Sequence, residues 1–106
     1  MFDEYIDDEM NPSFPVDMTQ NRTRIPAILI KDYNLKFPKL VIVRDKIGKL
    51  KRRITVWKNR SAFLTGIKSI ARRNHLKLGD KMVCEIKMVD GYNGLVREIK
   101  VHIIKG

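Results

Sequence analysis

A series of short β-type segments separated by turn signals is the feature that most constrains this chain. Residues 81–87 alternate polar and apolar side chains, and residues 97–104 do so again. Such alternation places successive side chains on opposite faces of a strand. Many short strands with turns between them are typical of a small barrel or sandwich. The pattern therefore predicts a mainly β fold of about seven strands.

Two short helices are predicted among these strands. Pro26 suits the first turn of a helix at residues 27–34, and Thr65 is predicted to cap a second helix at residues 66–75. Residues 40–43 form a continuous apolar run, which favours a strand covered on both faces.

Two strand segments carry finer expectations. The strand at residues 81–87 is predicted to bury Met82, Cys84 and Ile86 and to expose Glu85. Pro15, within a short strand near the start of the chain, predicts an edge position because proline lacks the backbone N–H that a central strand needs.

The charge of the chain is unevenly distributed along the sequence. Lys and Arg number 22 against 12 Asp and Glu, which gives a net charge of +10 over 106 residues. Five of the acidic residues lie within residues 1–10, which hold no Lys or Arg. The rest is strongly basic, as in nucleic-acid-binding proteins. We predict an acidic flexible lead at residues 1–12 and one folded domain at residues 13–106.

Cysteine usage and hydropathy indicate the compartment. The single cysteine, Cys84, excludes an internal disulfide and indicates a reducing environment. No apolar run approaches the ~18 residues of a membrane span, and the acidic N-terminus lacks the pattern of a secretory signal. We therefore expect an intracellular protein with no membrane partner.

The stretch at residues 49–61 carries the strongest candidate site. It begins as a strand in which Ile54 and Val56 are predicted to face the core. Lys51 and Arg53 then share the opposite face, where they either seat phosphates or are simply solvated. The stretch ends in a basic loop made of Lys58, Asn59, Arg60 and Ser61. Its side chains are donors to phosphates and base edges; the simpler interpretation is a solvated loop.

A second polar cluster lies at residues 19–24. Arg22 and Arg24 are candidates for phosphate contacts, and Gln20 and Asn21 for base contacts. The alternative is an ordinary polar turn. Trp57, which precedes the basic loop, is predicted to pack at the base of that loop, because a duplex hides the faces of its bases. A single-stranded partner would instead favour stacking on Trp57.

Several sequence segments together point to one family. The sequence RIPA at residues 24–27 resembles the strand-to-helix entry of that family, and residues 41–45 followed by Gly48 and Lys49 resemble its strand and hairpin. The most specific match is FLTG at residues 63–66 leading into NHLKLGD at residues 74–80. On these segments the chain resembles the plant-specific B3 (B-three) DNA-binding domain, and within it the reproductive-meristem subgroup.

The resemblance implies a seven-stranded open pseudobarrel with two short α-helices at its ends. It also implies two loops that enter the DNA major groove: an N-arm at residues 17–24 and a C-arm at residues 57–61. The implied function is double-stranded DNA binding in a plant nuclear transcriptional regulator. The predicted DNA-binding residues are Gln20, Asn21, Arg22, Arg24, Lys51, Arg53, Trp57, Lys58, Asn59, Arg60 and Ser61.

Other classes of function have weaker support. Cys84, His75 and His102 show no metal-ligand spacing, and no phosphate-binding or nucleophile motif occurs, so we expect neither an enzyme nor a metal, cofactor or small-molecule substrate. Two alternatives stay open. One is a single-stranded nucleic-acid or RNA-binding barrel that uses exposed aromatic side chains. The other is a basic protein-interaction domain, in which charge alone would suffice.

Overall fold

The computed structural model describes residues 5–90 and 94–106. This part of the chain forms seven strands and two helices. The strands are β1 (Ser13–Pro15), β2 (Arg22–Ile25), β3 (Leu40–Arg44), β4 (Lys49–Val56), β5 (Ala62–Thr65), β6 (Lys81–Met88) and β7 (Val96–Ile104). The helices are α1 (Ala27–Asp32) and α2 (Ile67–Arg73). Neither helix is long and apolar enough to cross a membrane.

The strands form one nearly closed sheet. Their order is β1-β6-β7-β3-β4-β5-β2, and every neighbouring pair is antiparallel except β3 and β7. The two outermost strands approach each other where the Asp17 N–H donates to the Thr23 hydroxyl over 3.1 Å. The predicted mainly β, seven-stranded barrel with two short helices is confirmed, and Pro15 does lie in an edge strand.

The core draws buried side chains from all seven strands and from α2. Met82, Cys84 and Ile86 are buried as predicted, and they pack with Phe14 and Ile25. Burying such side chains contributes about 1.5–3 kcal/mol each. Burial also raises the pKa of the Cys84 thiol to about 12, so this thiol stays protonated and unreactive at neutral pH.

Glu85 is the main correction to the predicted strand faces. It does point away from Cys84, but the residues preceding β1 cover it completely. Its carboxylate accepts the Asp7 N–H at 2.9 Å and the Asn11 side-chain amide at 2.8 Å, and it lies 2.8 Å from the His102 ring. Burial opposes the charge, yet hydrogen bonds from Asn11 and the Asp7 backbone hold the pKa of Glu85 below its ordinary value.

The described part of the acidic lead lies against β6 and β7. The Asp7 carboxylate accepts from Lys100 Nζ at 2.7 Å and from Lys87 Nζ at 2.8 Å. These two hydrogen bonds, Lys100 first, lower the pKa of Asp7 to about 2. Residues 1–4 lie outside the described residues, and the division into a flexible lead at 1–12 and a domain at 13–106 stays a prediction.

Three local expectations were wrong. Val56, predicted to face the core, is 54% exposed because β4 ends there. Thr65 does not cap α2: its hydroxyl donates to the Arg53 carbonyl at 3.0 Å. The N-cap position is instead occupied by Gly66, in the left-handed conformation at φ 79°, and the helix begins at Ile67. A side chain at Gly66 would collide with Arg52, which lies against it. Both helices are shorter than predicted: α1 ends at Asp32 and not at residue 34, and α2 spans Ile67–Arg73 and not residues 66–75.

Candidate nucleic-acid interface

The outward face of β4, β5 and β2 gathers cations from separate parts of the sequence. Arg24 pairs with Phe63 of β5, which in turn pairs with Thr55 of β4. The same alternation places four exposed cations and one exposed tryptophan on this side of the sheet. We call this surface the basic face; it consists of Arg22, Arg24, Lys51, Arg53 and Trp57. Neighbouring strands lie about 4.8 Å apart, so the face is narrow and continuous.

A cation–aromatic stack lies on the basic face. The Arg22 guanidinium carbon is 5.1 Å from the centroid of the Trp57 ring system and 4.6 Å from that of Phe63. The two rings are 4.9 Å apart and inclined at 41°. Each cation–π contact at an exposed site contributes about 0.5–1 kcal/mol. The stack therefore ties the end of the N-arm to the start of the C-arm.

The C-arm is a closed turn. The Trp57 N–H donates to the Ser61 carbonyl at 2.8 Å, and the Arg60 N–H donates to the Trp57 carbonyl at 2.9 Å. Arg60 itself adopts a left-handed conformation with φ 68°. The Ser61 N–H donates to the side-chain oxygen of Asn59 at 3.0 Å. Lys58, Asn59 and Arg60 are exposed at the tip.

Ser61 lies beneath that tip. It is buried, and its hydroxyl accepts from Arg24 Nη2 at 3.1 Å. This contact is a second link between the two arms, and it orients the Arg24 guanidinium toward the C-arm. The predicted DNA contact of Ser61 stays a prediction, whereas its contact with Arg24 is a structural fact.

The N-arm is attached to the start of α2. The Ile67 N–H donates to the Asn21 carbonyl at 3.0 Å, and the Lys68 N–H donates to the Asn21 side-chain oxygen at 2.9 Å. The first N–H groups of a helix have no partner within it, so Asn21 satisfies two of them. Gln20 is exposed beside it. The structure thus brings together Arg22, Arg24 and the C-arm, and turns the Asn21 oxygen toward α2.

A groove separates α1 from the C-arm. Its volume is about 590 Å³, and its lining includes Ile30, Phe37 and the exposed Val56. Four cations also line it: Arg24, Lys31, Lys36 and Arg60. The groove extends the positive surface around Arg60 beyond the basic face.

Asp45 lies in the turn that joins β3 to β4, at the end of β4 away from the C-arm. Its carboxylate accepts from the Gly48 N–H at 3.0 Å, from Arg73 Nε at 2.8 Å and from Asn74 Nδ2 at 2.8 Å. Burial opposes the charge, but these bonds hold the pKa of Asp45 well below its usual range. Sequence reasoning missed this cluster, although Asn74 opens the NHLKLGD segment that carried the family resemblance.

One group of side chains has the composition of a metal site. Ligand atoms of Asp7, Glu85 and His102 lie within 4.8 Å of one another. They already serve other contacts, because Asp7 binds Lys87 and Lys100 while Glu85 accepts backbone and amide donors. The two ammonium groups beside Asp7 also oppose the binding of a cation. The cluster therefore anchors the lead.

Comparisons with known proteins agree with this architecture. The chain is 72% identical over 102 residues to B3 domain-containing protein REM22 of Arabidopsis thaliana, covering 96% of this chain and 37% of that protein. It is 42% identical over 105 residues to B3 domain-containing protein At5g60140 of the same plant, covering 96% of this chain and 31% of that protein. No family model matches the chain.

A solved structure shares the fold. The structure of the hypothetical Arabidopsis thaliana protein At1g16640.1 superposes with a TM-score of 0.64 at 20% sequence identity, and the match covers 91% of this chain and 90% of that one. The chain spans about a third of the length of the curated relatives that it matches. By these relatives and its barrel topology, the chain belongs to the B3 domain family, in the reproductive-meristem (REM) subgroup.

Proposed function

We propose that this chain is the double-stranded DNA-binding module of a plant nuclear transcriptional regulator. The observation that carries the proposal is the joining of the two arms on one basic face. Arg22 stacks on Trp57, and Arg24 donates to Ser61. Two loops fixed to each other in this way have a set separation, which suits insertion into the ≈ 12 Å wide major groove. The B3 relatives support the same interpretation.

The side chains divide into two roles in this proposal. Lys51 and Arg53 of β4, together with Arg22 and Arg24 of β2, provide phosphate contacts that position the domain. The exposed tips of the arms, Gln20 and residues 58–60, reach the base edges. If about 6–8 phosphates are neutralised, log K falls against log salt concentration with a slope of roughly −5 to −7.

One observation favours the single-stranded alternative. Trp57 is 45% exposed, and exposed aromatic rings bind unpaired bases by stacking. Against this, the Arg22 guanidinium lies over the Trp57 ring and competes for its face. Tyr92, another aromatic candidate, lies outside the described residues. A duplex partner uses the cations of the basic face without displacing Arg22.

The test compares binding to a random-sequence duplex with binding to a single strand of the same length. Fluorescence anisotropy is measured at two salt concentrations for the wild type and for Arg60→Gly, because glycine keeps the left-handed turn that alanine would strain. We expect tighter, salt-steep binding to the duplex and weaker binding by the variant. Preference for the single strand, or affinity independent of salt, would overturn the proposal.

A second variant tests the protein-interaction alternative. Arg60→Lys keeps the positive charge and loses the planar guanidinium that can bond a base edge through two donors. Unchanged duplex binding by Arg60→Lys would show that charge alone suffices at this position. Weaker duplex binding with a preserved salt slope would support a directed contact by the Arg60 guanidinium.

A further inference from the structure

We infer that the C-arm selects guanine in the major groove, because the side chains at its tip present mainly hydrogen-bond donors. The inference rests on the proposed function and narrows its substrate class to duplex sites that carry guanine beneath the C-arm. It depends on three residues at the tip, Lys58, Asn59 and Arg60, and above all on the orientation of the Asn59 amide.

The orientation of Asn59 follows from its partner. The Ser61 N–H lies 3.0 Å from the Asn59 side chain. A backbone N–H can only donate, so the atom facing it is the amide oxygen and the NH₂ group is directed elsewhere. Asparagine commonly fixes a turn in this way, by bonding its own backbone two residues on. A free asparagine reads adenine by using both its oxygen and its nitrogen, and here the oxygen is held toward the Ser61 N–H with one of its two lone pairs engaged.

The neighbours of Asn59 add further donors. Arg60 carries five N–H donors and Lys58 an ammonium group, and neither side chain can accept a hydrogen bond. Arg24, held by Ser61, adds another guanidinium beside the arm. The turn is closed by two backbone hydrogen bonds, so these donors project from a fixed backbone.

Base edges differ in how well they match such a surface. In the major groove guanine shows two adjacent acceptors, N7 and O6, whereas adenine pairs its N7 acceptor with an N6 donor. Cytosine shows a donor and thymine a single acceptor. A surface of donors is satisfied fully by guanine, and it meets an opposing donor on adenine and on cytosine. Guanine is therefore the preferred base.

The experiment begins with selection of duplex sites from a random-sequence pool by the wild-type chain. Selected guanines are then replaced singly by 7-deazaguanine, which lacks the N7 acceptor but still pairs with cytosine. We expect at least one guanine whose replacement weakens binding about five-fold or more. Asn59→Ser is the matched variant, since its hydroxyl can still accept the Ser61 N–H while the amide donors are lost.

The Asn59→Ser variant tests whether the penalty for 7-deazaguanine arises from a contact with the C-arm. With Asn59→Ser, the penalty for 7-deazaguanine at a contacted position should shrink, while the salt slope stays that of the wild type. The inference would be overturned if the selected sites contained no required guanine. It would also be overturned if the penalty for 7-deazaguanine were unchanged in both Asn59→Ser and Arg60→Gly. Either result would leave the proposed duplex binding standing. Failure to bind any duplex would overturn the proposed function together with the inference.

Discussion

The cations on the two sides of the barrel have different partners. On the side built from β3, β6 and β7 they meet carboxylates: Lys87 and Lys100 bind Asp7, and Arg44 binds Glu98 at 3.0 Å. On the basic face and the C-arm, no ion pair occurs within residues 5–90 and 94–106. The difference shows that the cations where the two arms meet are not neutralised by a carboxylate of the described residues.

This contrast separates two uses of charge. A paired cation beside a buried carboxylate stabilises the fold, since removing either partner leaves polar groups unsatisfied. An unpaired cation on an exposed face contributes little to stability and is free to meet an anion from outside. Substitutions on the first side should therefore change unfolding, and substitutions on the second should change binding.

The largest expected effect is the loss of Asp45. Its side chain is 1% exposed and holds Arg73 and Asn74, so Asp45→Ala leaves partly buried donors without their acceptor. We expect a loss of about 3 kcal/mol in the free energy of unfolding, measured by urea denaturation. Lys46→Ala, an exposed neighbour in the same turn, is the control and should change the free energy of unfolding by less than about 0.5 kcal/mol. Equal effects of the two variants would contradict this role of Asp45.

The next effect tests whether Arg22 is a free cation or part of a stack. Arg22→Ala removes contacts with Trp57 and Phe63 and should lower the free energy of unfolding by about 1–2 kcal/mol. Trp57 is the only tryptophan, so its fluorescence reports the stack directly. The emission should change in Arg22→Ala.

Arg53→Ala is the matched control for that measurement. Arg53 lies on the same face, and no contact of its side chain with Trp57 is found in the described part of the chain. We expect Arg53→Ala to weaken duplex binding while leaving the emission of Trp57 unaltered. Identical spectra for both variants would mean that Arg22 does not stack in solution.

The alternation of polar and apolar residues predicted much of this fold. It did not predict burial where segments distant in sequence come into contact. Alternation correctly buried Cys84 and its neighbours in β6. It also placed Glu85 on the other side, but only the contacts of Glu85 with the lead and with His102 determine that this side is covered. The contact between Asp7 and Glu85 joins residues 78 positions apart in sequence, so no local pattern encodes it.

The candidate site also depends on contacts that local sequence patterns do not encode. The residue types of the C-arm are visible in the sequence, but the partner of each is not. Phe63 was not a candidate, since its position under Arg22 depends on the register between β2 and β5. The orientation of the Asn59 amide likewise depends on the closure of the turn by Ser61. Register and turn closure become known only from the three-dimensional structure.

A smaller effect on the free energy of unfolding is expected when Asp7 is protonated at low pH. The pKa of Asp7 is lowered to about 2 by hydrogen bonds from Lys100 and Lys87. A carboxylate whose pKa is depressed in the folded state stabilises that state above its ordinary pKa of 3.8, and this contribution is lost as the pH falls toward 2. Because the Asp7 side chain is 42% exposed, we expect only about 0.5–1 kcal/mol.

The measurement compares wild type with Asp7→Asn by urea denaturation at several pH values. The difference in free energy of unfolding should be largest near neutral pH and should shrink between pH 3.8 and about 2. A difference that is constant with pH would mean that the ion pairs with Lys87 and Lys100 do not form in solution.

The smallest effect has the opposite sign and concerns the tip of the C-arm. Arg60 has φ 68°, a conformation that costs a non-glycine residue roughly 1 kcal/mol. Glycine relieves this strain but also adds entropy to the unfolded chain, so Arg60→Gly should raise the free energy of unfolding by at most about 0.5 kcal/mol while it weakens duplex binding. His75→Gly relieves the same strain at φ 55°, away from both arms, and should stabilise without weakening binding. A loss of stability in Arg60→Gly would show that the Arg60 side chain holds the turn together. Arg60 would then stabilise the fold like the paired cations on the other side of the barrel, and the contrast between the two sides would not extend to the C-arm.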